Sequence, residues 1–253
     1  MAGITPLTAL AIAAAGTAAG AVNAIVGSGS LITFPTLLAA GYPSVLANVS
    51  NNVGLVPGSV SGALGYRREL AGQGARIRHL GLASGAGGAV GAVLLLALPG
   101  DVFDAVVPIL ILVACFLVAF GPRIRQWVVA RRPEEGHGGA GLWGLVFLTG
   151  VYGGYFGAAQ GVILISLLSI FLSDDLQRLN GLKNVLAGLV NGVAAVLFIG
   201  FHHIHWGVVG LLAAGSVAGG QLGATVGRRI PPAAYRAVMV VVGLVVAAKL
   251  LLD

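Results

Sequence analysis

Charge is what this chain has least of. Among 253 residues, Lys and Arg number 14 and Asp and Glu 8, together 9% of the chain, while 57% is hydrophobic. A soluble domain carries about 25% charge and 45–50% apolar residues. Too little polar material remains to cover a water-facing surface. With a mean hydropathy of +0.97, the composition excludes a soluble globular class and indicates an integral membrane protein. Cysteine is nearly absent: Cys115 alone excludes an internal disulfide and a cysteine-based metal cluster. Carboxylates are missing where they would matter. Glu69, Asp101, Asp104, Glu134, Glu135, Asp174, Asp175 and Asp253 all fall in or beside expected loops. No acid is thus available at membrane depth for the proton or sodium coupling that many carriers assign to one. Histidine, backbone carbonyls and a substrate's own proton stay open as coupling groups. The first basic residue is Arg67, so the start lacks the basic region of a secretory signal and reads as a membrane segment. No nucleophile–base set, phosphate loop or HExxH motif occurs. The glycine-rich run Gly85–Gly91 follows no strand, so it is not a dinucleotide fingerprint. An enzyme, a cofactor and a nucleic-acid partner are not expected.

Glycine is abundant instead, with 41 residues, more than twice the average share of about 7%. Apolar runs cover 4–26, 29–41, 45–66, 79–98, 103–121, 141–156, 158–172, 176–201, 205–227 and 233–252. Two pairs of runs are split by small residues, at Gly27-Ser28-Gly29-Ser30 and at Gly157-Ala158-Ala159-Gln160-Gly161. The second run of each pair is too short to span a bilayer comfortably, since that takes about 20 apolar residues.

The halves repeat. Ser84-Gly-Ala-Gly-Gly-Ala-Val-Gly-Ala92 matches Ser216-Val-Ala-Gly-Gly-Gln-Leu-Gly-Ala224, and the same offset of 132 carries Asn48 onto Asn180, Asn52 onto Asn184 and Pro99 onto Pro231. Gly27 precedes Gly157 by 130, which puts a two-residue difference within 31–47. Basic residues then give orientation. Arg67, Arg68, Arg76 and Arg78 share one loop; Arg123, Arg125, Arg131 and Arg132 lie in the linker; Arg228 and Arg229 lie in a third loop. All three loops belong in the cytoplasm by the positive-inside rule. The loops near 43, 100 and 203 lack Lys and Arg and belong outside. Equivalent loops of the two halves thus face opposite sides, which defines an inverted-topology repeat. Each half needs an odd number of crossings. Five segments satisfy this, as does a re-entrant hairpin plus three spans, and both place the N-terminus outside. The expected architecture is an all-α polytopic membrane protein of about 8–10 segments. Repeat 1 covers 1–122, a basic cytoplasmic linker 123–140 and repeat 2 141–253.

Candidate site residues follow from polarity at depth. Broken helices expose unpaired backbone groups that only protein or a water-lined cavity can satisfy, and helix N-termini favour anions. Ser28, Ser30 and Gln160 add hydrogen-bonding side chains at the breaks. Asn48 and Asn52 share a helix face, as do Asn180 and Asn184. Asn191 continues the second face, with Ser59 at the equivalent position of the first. Asn52 and Asn184 lie roughly 12–16 Å into their helices, close to the bilayer centre. Lys183 sits beside them without an obvious carboxylate partner. Either a bound anion supplies the missing charge, or a later helix start leaves Lys183 near the cytoplasmic surface. His202, His203 and His205 read as a polar external turn, and no metal site is expected. Trp127, Trp143 and Trp206 read as interfacial anchors. The row Gly215, Gly219, Gly223 and Gly227 offers close packing within a protomer or a homodimer interface, and Gln221 on the same helix could face a cavity.

One stretch resembles a known family. Gly20-x-x-Asn23-x-x-x-Gly27-Ser-Gly-Ser-Leu-Ile-Thr-Phe-Pro35-Thr-Leu-Leu, then Ala47-Asn-Val-Ser-Asn-Asn-Val and Gly65-Tyr66-Arg67, is similar to the first half of the TauE/SafE sulfite exporter family. Gly150 through Gly161 to Asn180–Asn184 resembles its degenerate copy. The resemblance implies a prokaryotic inner-membrane permease for sulfite, sulfonates or related sulfur-containing anions. This chain carries Ser28 and Ser30 where the family's break is richer in glycine, and Ala158-Ala159-Gln160 at the second break. The expectation is a transporter that alternates access to a midplane site lined by Ser28, Ser30, Asn48, Asn52, Gln160, Asn180, Lys183 and Asn184. The competing expectations are an uptake permease or channel for another small anion, and a non-transporting membrane subunit.

Overall fold

The computed structural model describes residues 4–129, 139–225 and 232–252. Expectations for Arg131, Arg132, Glu134, Glu135, Gly227, Arg228, Arg229, Pro231 and Asp253, and for the side chains of Arg125 and Trp127, lie outside the described residues. So does most of the 123–140 linker.

The described residues form ten helices: α1 (Pro6–Ile25), α2 (Ser30–Ala39), α3 (Ser44–Gly65), α4 (Gly74–Ala97), α5 (Gly100–Val129), α6 (Ala140–Tyr155), α7 (Gln160–Phe171), α8 (Leu176–Phe201), α9 (Trp206–Thr225) and α10 (Pro232–Leu252). The all-helical expectation holds. Five of them (α1, α4, α5, α8 and α9) are long and apolar enough to cross a membrane. α3 has 22 residues, but its asparagines and serines dilute its hydropathy. Helix ends follow local chemistry. Thr5 caps α1 by accepting a hydrogen bond from the Thr8 N–H, with Pro6 in the first turn. Asp175 caps α8 through the Gln177 N–H at 2.8 Å. The expected loop 67–78 is shorter than its charge suggests, because α4 begins at Gly74 and carries Arg76 and Arg78 in its first turns.

The two ends of the bundle are chemically distinct. At one end, Tyr42 packs edge-on against His205 with centroids 5.2 Å apart, Ser44 donates to Asp104, and Gly207 lies against Ile4. At the other end, Arg76 and Arg178 pair with Asp174 at 2.5 and 2.9 Å, and Gln73 donates to the Arg178 carbonyl at 3.0 Å. The α1–α2 hairpin therefore starts and finishes at the first end. The α6–α7 hairpin starts and finishes at the second, where Gly141 neighbours Phe171. Each half is a hairpin plus three long helices, and the halves are inverted. α7 is two residues longer than α2, which accounts for the change of offset from 130 to 132.

Packing repeats with the halves. α1 lies against α9 as α6 lies against α4, α3 against α9 as α8 against α4, and α5 pairs with α10. Glycine makes the first two pairings possible. A Cβ at Gly91 would stand 2.0 Å from the Val151 carbonyl oxygen, and one at the equivalent Gly223 would stand 2.5 Å from that of Ala21. Ser84 donates to the Leu186 carbonyl at 3.0 Å, and its counterpart Ser216 to that of Gly54 at 3.1 Å. The row Gly215, Gly219 and Gly223 is filled by α1 of the same chain, so this face is not open to a second copy. Gln221 ties α9 to α3 through the Ser61 carbonyl at 2.9 Å. Large apolar side chains such as Leu82, Phe116, Val196 and Val241 stand exposed around the outside, the arrangement a hydrocarbon environment favours.

Candidate functional site

Both helix breaks are built by the same turn. Gly27 (φ 85°) and Gly157 (φ 78°) adopt left-handed backbone, where a Cβ would be strained. The Gly27 N–H reaches back to the Val22 carbonyl at 3.0 Å, and the Gly157 N–H to that of Tyr152 at 3.1 Å. The tips of the hairpins then meet. Gly161 N–H donates to the Gly27 carbonyl at 2.9 Å, and a Cβ on either glycine would fall 2.4 Å from the other's Cα.

The first turn leaves the last carbonyls of α1 without helical partners, and α8 supplies them. Residues 180, 183 and 184 share one face of α8. Lys183 Nζ donates to the Asn23 carbonyl at 3.0 Å and the Ala24 carbonyl at 3.4 Å. Asn184 Nδ2 reaches the Ala24 carbonyl at 3.1 Å. Asn180 Nδ2 reaches the same carbonyl at 3.3 Å and the Tyr66 hydroxyl at 2.8 Å. Asn23 completes the junction, its Oδ1 accepting the Gly29 N–H at 2.7 Å. Lys183 is fully buried, with 0% exposure. Lys183 lies two turns into α8, which begins at Leu176, and is enclosed by protein and not displayed on its surface.

Beside this junction lies a small, partly open cavity. Asn23, Ser30 and Ser59 border it from the first half, and Gln160, Lys183, Asn184 and Asn191 from the second, with Gly27, Gly157 and Gly161 at the crossing of the tips. Ser59 and Asn191, equivalent by the repeat, both face it. Gln160 lies across Gly153, and its Nε2 is buried with no hydrogen-bond partner. Lys183 is the charged residue among the described lining, which includes no carboxylate.

Four of the eight expected residues, Ser30, Gln160, Lys183 and Asn184, are thus brought together. The other four lie off the cavity. Ser28 points to Met239 Sδ at 3.0 Å. Asn48 caps the end of α6 through the Tyr155 carbonyl at 2.9 Å. Asn180 is held by Tyr66 and α1. Asn52 donates to Asn191 Oδ1 at 3.4 Å while its own Oδ1 is unpartnered. Asn23 was not singled out as a site residue, although its spacing of four before Gly27 is the signal that could have found it. Asn51 was also missed; it donates to Ser30 Oγ at 3.2 Å and accepts from Thr33. Among the described residues no group of three His, Cys, Asp or Glu could hold a metal ion. His205 instead accepts the Val208 N–H at 3.3 Å at the start of α9.

Comparison with known proteins gives one family match, to the model described as "Sulfite exporter TauE/SafE", over residues 12–250. Curated relatives include a "Probable membrane transporter protein" of Haemophilus influenzae, 28% identical over 92% of this chain and 90% of the relative. Another is a "Probable membrane transporter protein" of a Sinorhizobium species, 26% identical over 93% and 89%. A third relative, of the same description, comes from Escherichia coli and is 25% identical over 93% and 86%. No solved structure matches.

Proposed function

The chain belongs to the sulfite exporter TauE/SafE family of membrane transporters, and from that premise we propose that it exports sulfite, an organosulfonate or a related small sulfur-containing anion. The proposed repeats, 1–122 and 141–253, alternate access to the cavity where their hairpin tips cross, by rocking of one half against the other. The residues proposed to receive the anion are Ser30, Gln160, Lys183 and Asn184, with Asn52 supporting Asn191. Ser28, Asn48 and Asn180 act indirectly, by holding the breaks in place. The host is a prokaryotic inner membrane, with the basic end of the bundle in the cytoplasm and the N-terminus outside.

The observation that carries this reading is Lys183: a fully buried amine beside a cavity whose described lining has no carboxylate. Two of its three N–H donors go to α1 carbonyls, and one is left for a ligand. The unpartnered Gln160 Nε2 offers a second donor. A buried donor without a partner costs about 1–3 kcal/mol, which an entering oxyanion would recover while exchanging its hydration shell for these groups.

The test is flux in proteoliposomes of purified protein, with sulfite, sulfate, thiosulfate, taurine and sulfoacetate compared across a range of pH. Saturable flux with counterflow is expected for sulfite or a sulfonate. Lys183→Gln is expected to lower that flux about 10-fold or more, given roughly 1.5–3 kcal/mol for a hydrogen bond to a charged group. Flux without counterflow or saturation would favour a channel, and no flux of any of these anions would overturn the transport reading. Unchanged flux in Lys183→Gln would remove Lys183 from the site.

A further inference from the structure

In carriers built on discontinuous helices, the carbonyl end of a half-helix is where a coupling cation binds, because that end carries partial negative charge and unpaired oxygens. Here the carbonyl end of α1 is already occupied by Lys183 Nζ, at 3.0 and 3.4 Å from the Asn23 and Ala24 oxygens. We infer that the Lys183 ammonium replaces a dissociable coupling cation, so that this transporter carries its cation on a tether and works without sodium. The inference rests on the transport reading above and assigns how that site is energised.

Three observations carry it. At the Ala24 carbonyl hydrogen bonding alone does not require a lysine, because the neutral amides of Asn180 and Asn184 already reach it; the Asn23 carbonyl is reached by Lys183. What lysine adds is charge. Its recorded partners are backbone carbonyls and none is a carboxylate, so that charge is directed at the helix end and the cavity. Finally, the repeat supplies an internal comparison. The position equivalent to Lys183 is Asn51, which turns away from the α6 end to Ser30 and Thr33. The α6 end is served by Asn48 alone of these amides. One of the two breaks therefore holds a cation and its counterpart is held by neutral groups.

The experiment is thermal unfolding of purified full-length protein in detergent, in sodium, methylammonium or N-methylglucamine chloride. The wild type is expected to unfold at one temperature in all three. Lys183→Ala opens the space and removes the charge. Its midpoint is expected to fall in N-methylglucamine and to rise by about 3 °C or more in sodium or methylammonium. If Lys183→Ala does not fold, Lys183→Gln takes its place, its amide oxygen adding a ligand for the ion. A sodium or methylammonium gain in the variant, absent from the wild type, supports the inference. No gain in the variant, or an equal gain in the wild type, overturns it. This readout needs no transport, so an absence of sulfite flux would count against the function proposed above and leave the tethered cation to be judged by the midpoints.

Discussion

Asp174 gathers two guanidinium groups from different helices, Arg76 at 2.5 Å and Arg178 at 2.9 Å, and so pins the start of α4 to the turn before α8. Partial burial works to raise its pKa. The hydrogen bonds from Arg76 and from the Asp175 N–H, with the charges of Arg178 and Arg76, outweigh that and hold the carboxyl below the usual range. A pKa lowered on folding contributes stability above the unfolded value, about 3.9 for Asp. That contribution is lost as pH falls through the folded value. Asp174→Asn is therefore expected to lower the thermal midpoint at pH 7, with the difference starting to shrink near about pH 4 and vanishing below the folded value. Equal midpoints at pH 7 would show that solvent screens these pairs completely. Lys183, one helical stretch deeper, marks the limit of sequence reading at this scale. Its lack of an obvious acid partner was legible, because the carboxylates fall in or beside loops; its burial stayed open against a position near the surface. Its actual partners were not legible, because backbone carbonyls have no letter in a sequence. They become acceptors only where Gly27 ends α1 and α8 crosses that end. Ser28 has a different reason: the break turns it to Met239, a side chain 211 residues away in sequence, and not to the cavity.

At the scale of helices, most boundaries were legible because glycine and proline punctuate apolar runs and both breaks carry a left-handed glycine. The glycine row on α9 was legible as a packing face, but its partner was not, since residues 13–21 of α1 and 215–223 of α9 are distant in sequence. Hairpins that return to their own end were also beyond hydropathy, which measures length and not direction. The equivalence of the α1–α9 and α4–α6 seams has a quantitative consequence. Gly91→Ala and Gly223→Ala each force a Cβ against a backbone carbonyl, which no rotamer change relieves. Both are expected to destabilise by about 1–3 kcal/mol, the usual cost of overpacking. Gly192, at a helical position with nothing within 4 Å of its virtual Cβ, is the control: alanine there is neutral or gains up to about 1 kcal/mol. Chemical unfolding in detergent micelles reads all three. A Gly192→Ala loss as large as the other two would mean that glycine serves helix flexibility here and not close approach.

For the whole molecule, the charge that moves is the deciding quantity. Inverted halves place the α1 end, with Lys183, at the crossing of the tips, so under the proposed alternating access both states would see the same tethered cation. If no sodium ion accompanies the substrate and Lys183 remains with the protein, each turnover moves the anion's own charge across the bilayer. A potential negative inside then drives a monoanion outward with about 2.3 kcal/mol per 100 mV, equivalent to roughly a 50-fold concentration ratio. Export would follow from this electrostatics without a carboxylate at depth, which accounts for a lining that lacks one. Proteoliposomes loaded with sulfite separate the alternatives. A valinomycin-set potassium potential, negative inside, is expected to accelerate efflux, the opposite potential to slow it, and a sodium gradient to change nothing. Efflux indifferent to the potential but driven by a proton or sodium gradient would mean that a second ion neutralises the anion, and the cation on Lys183 would then be structural.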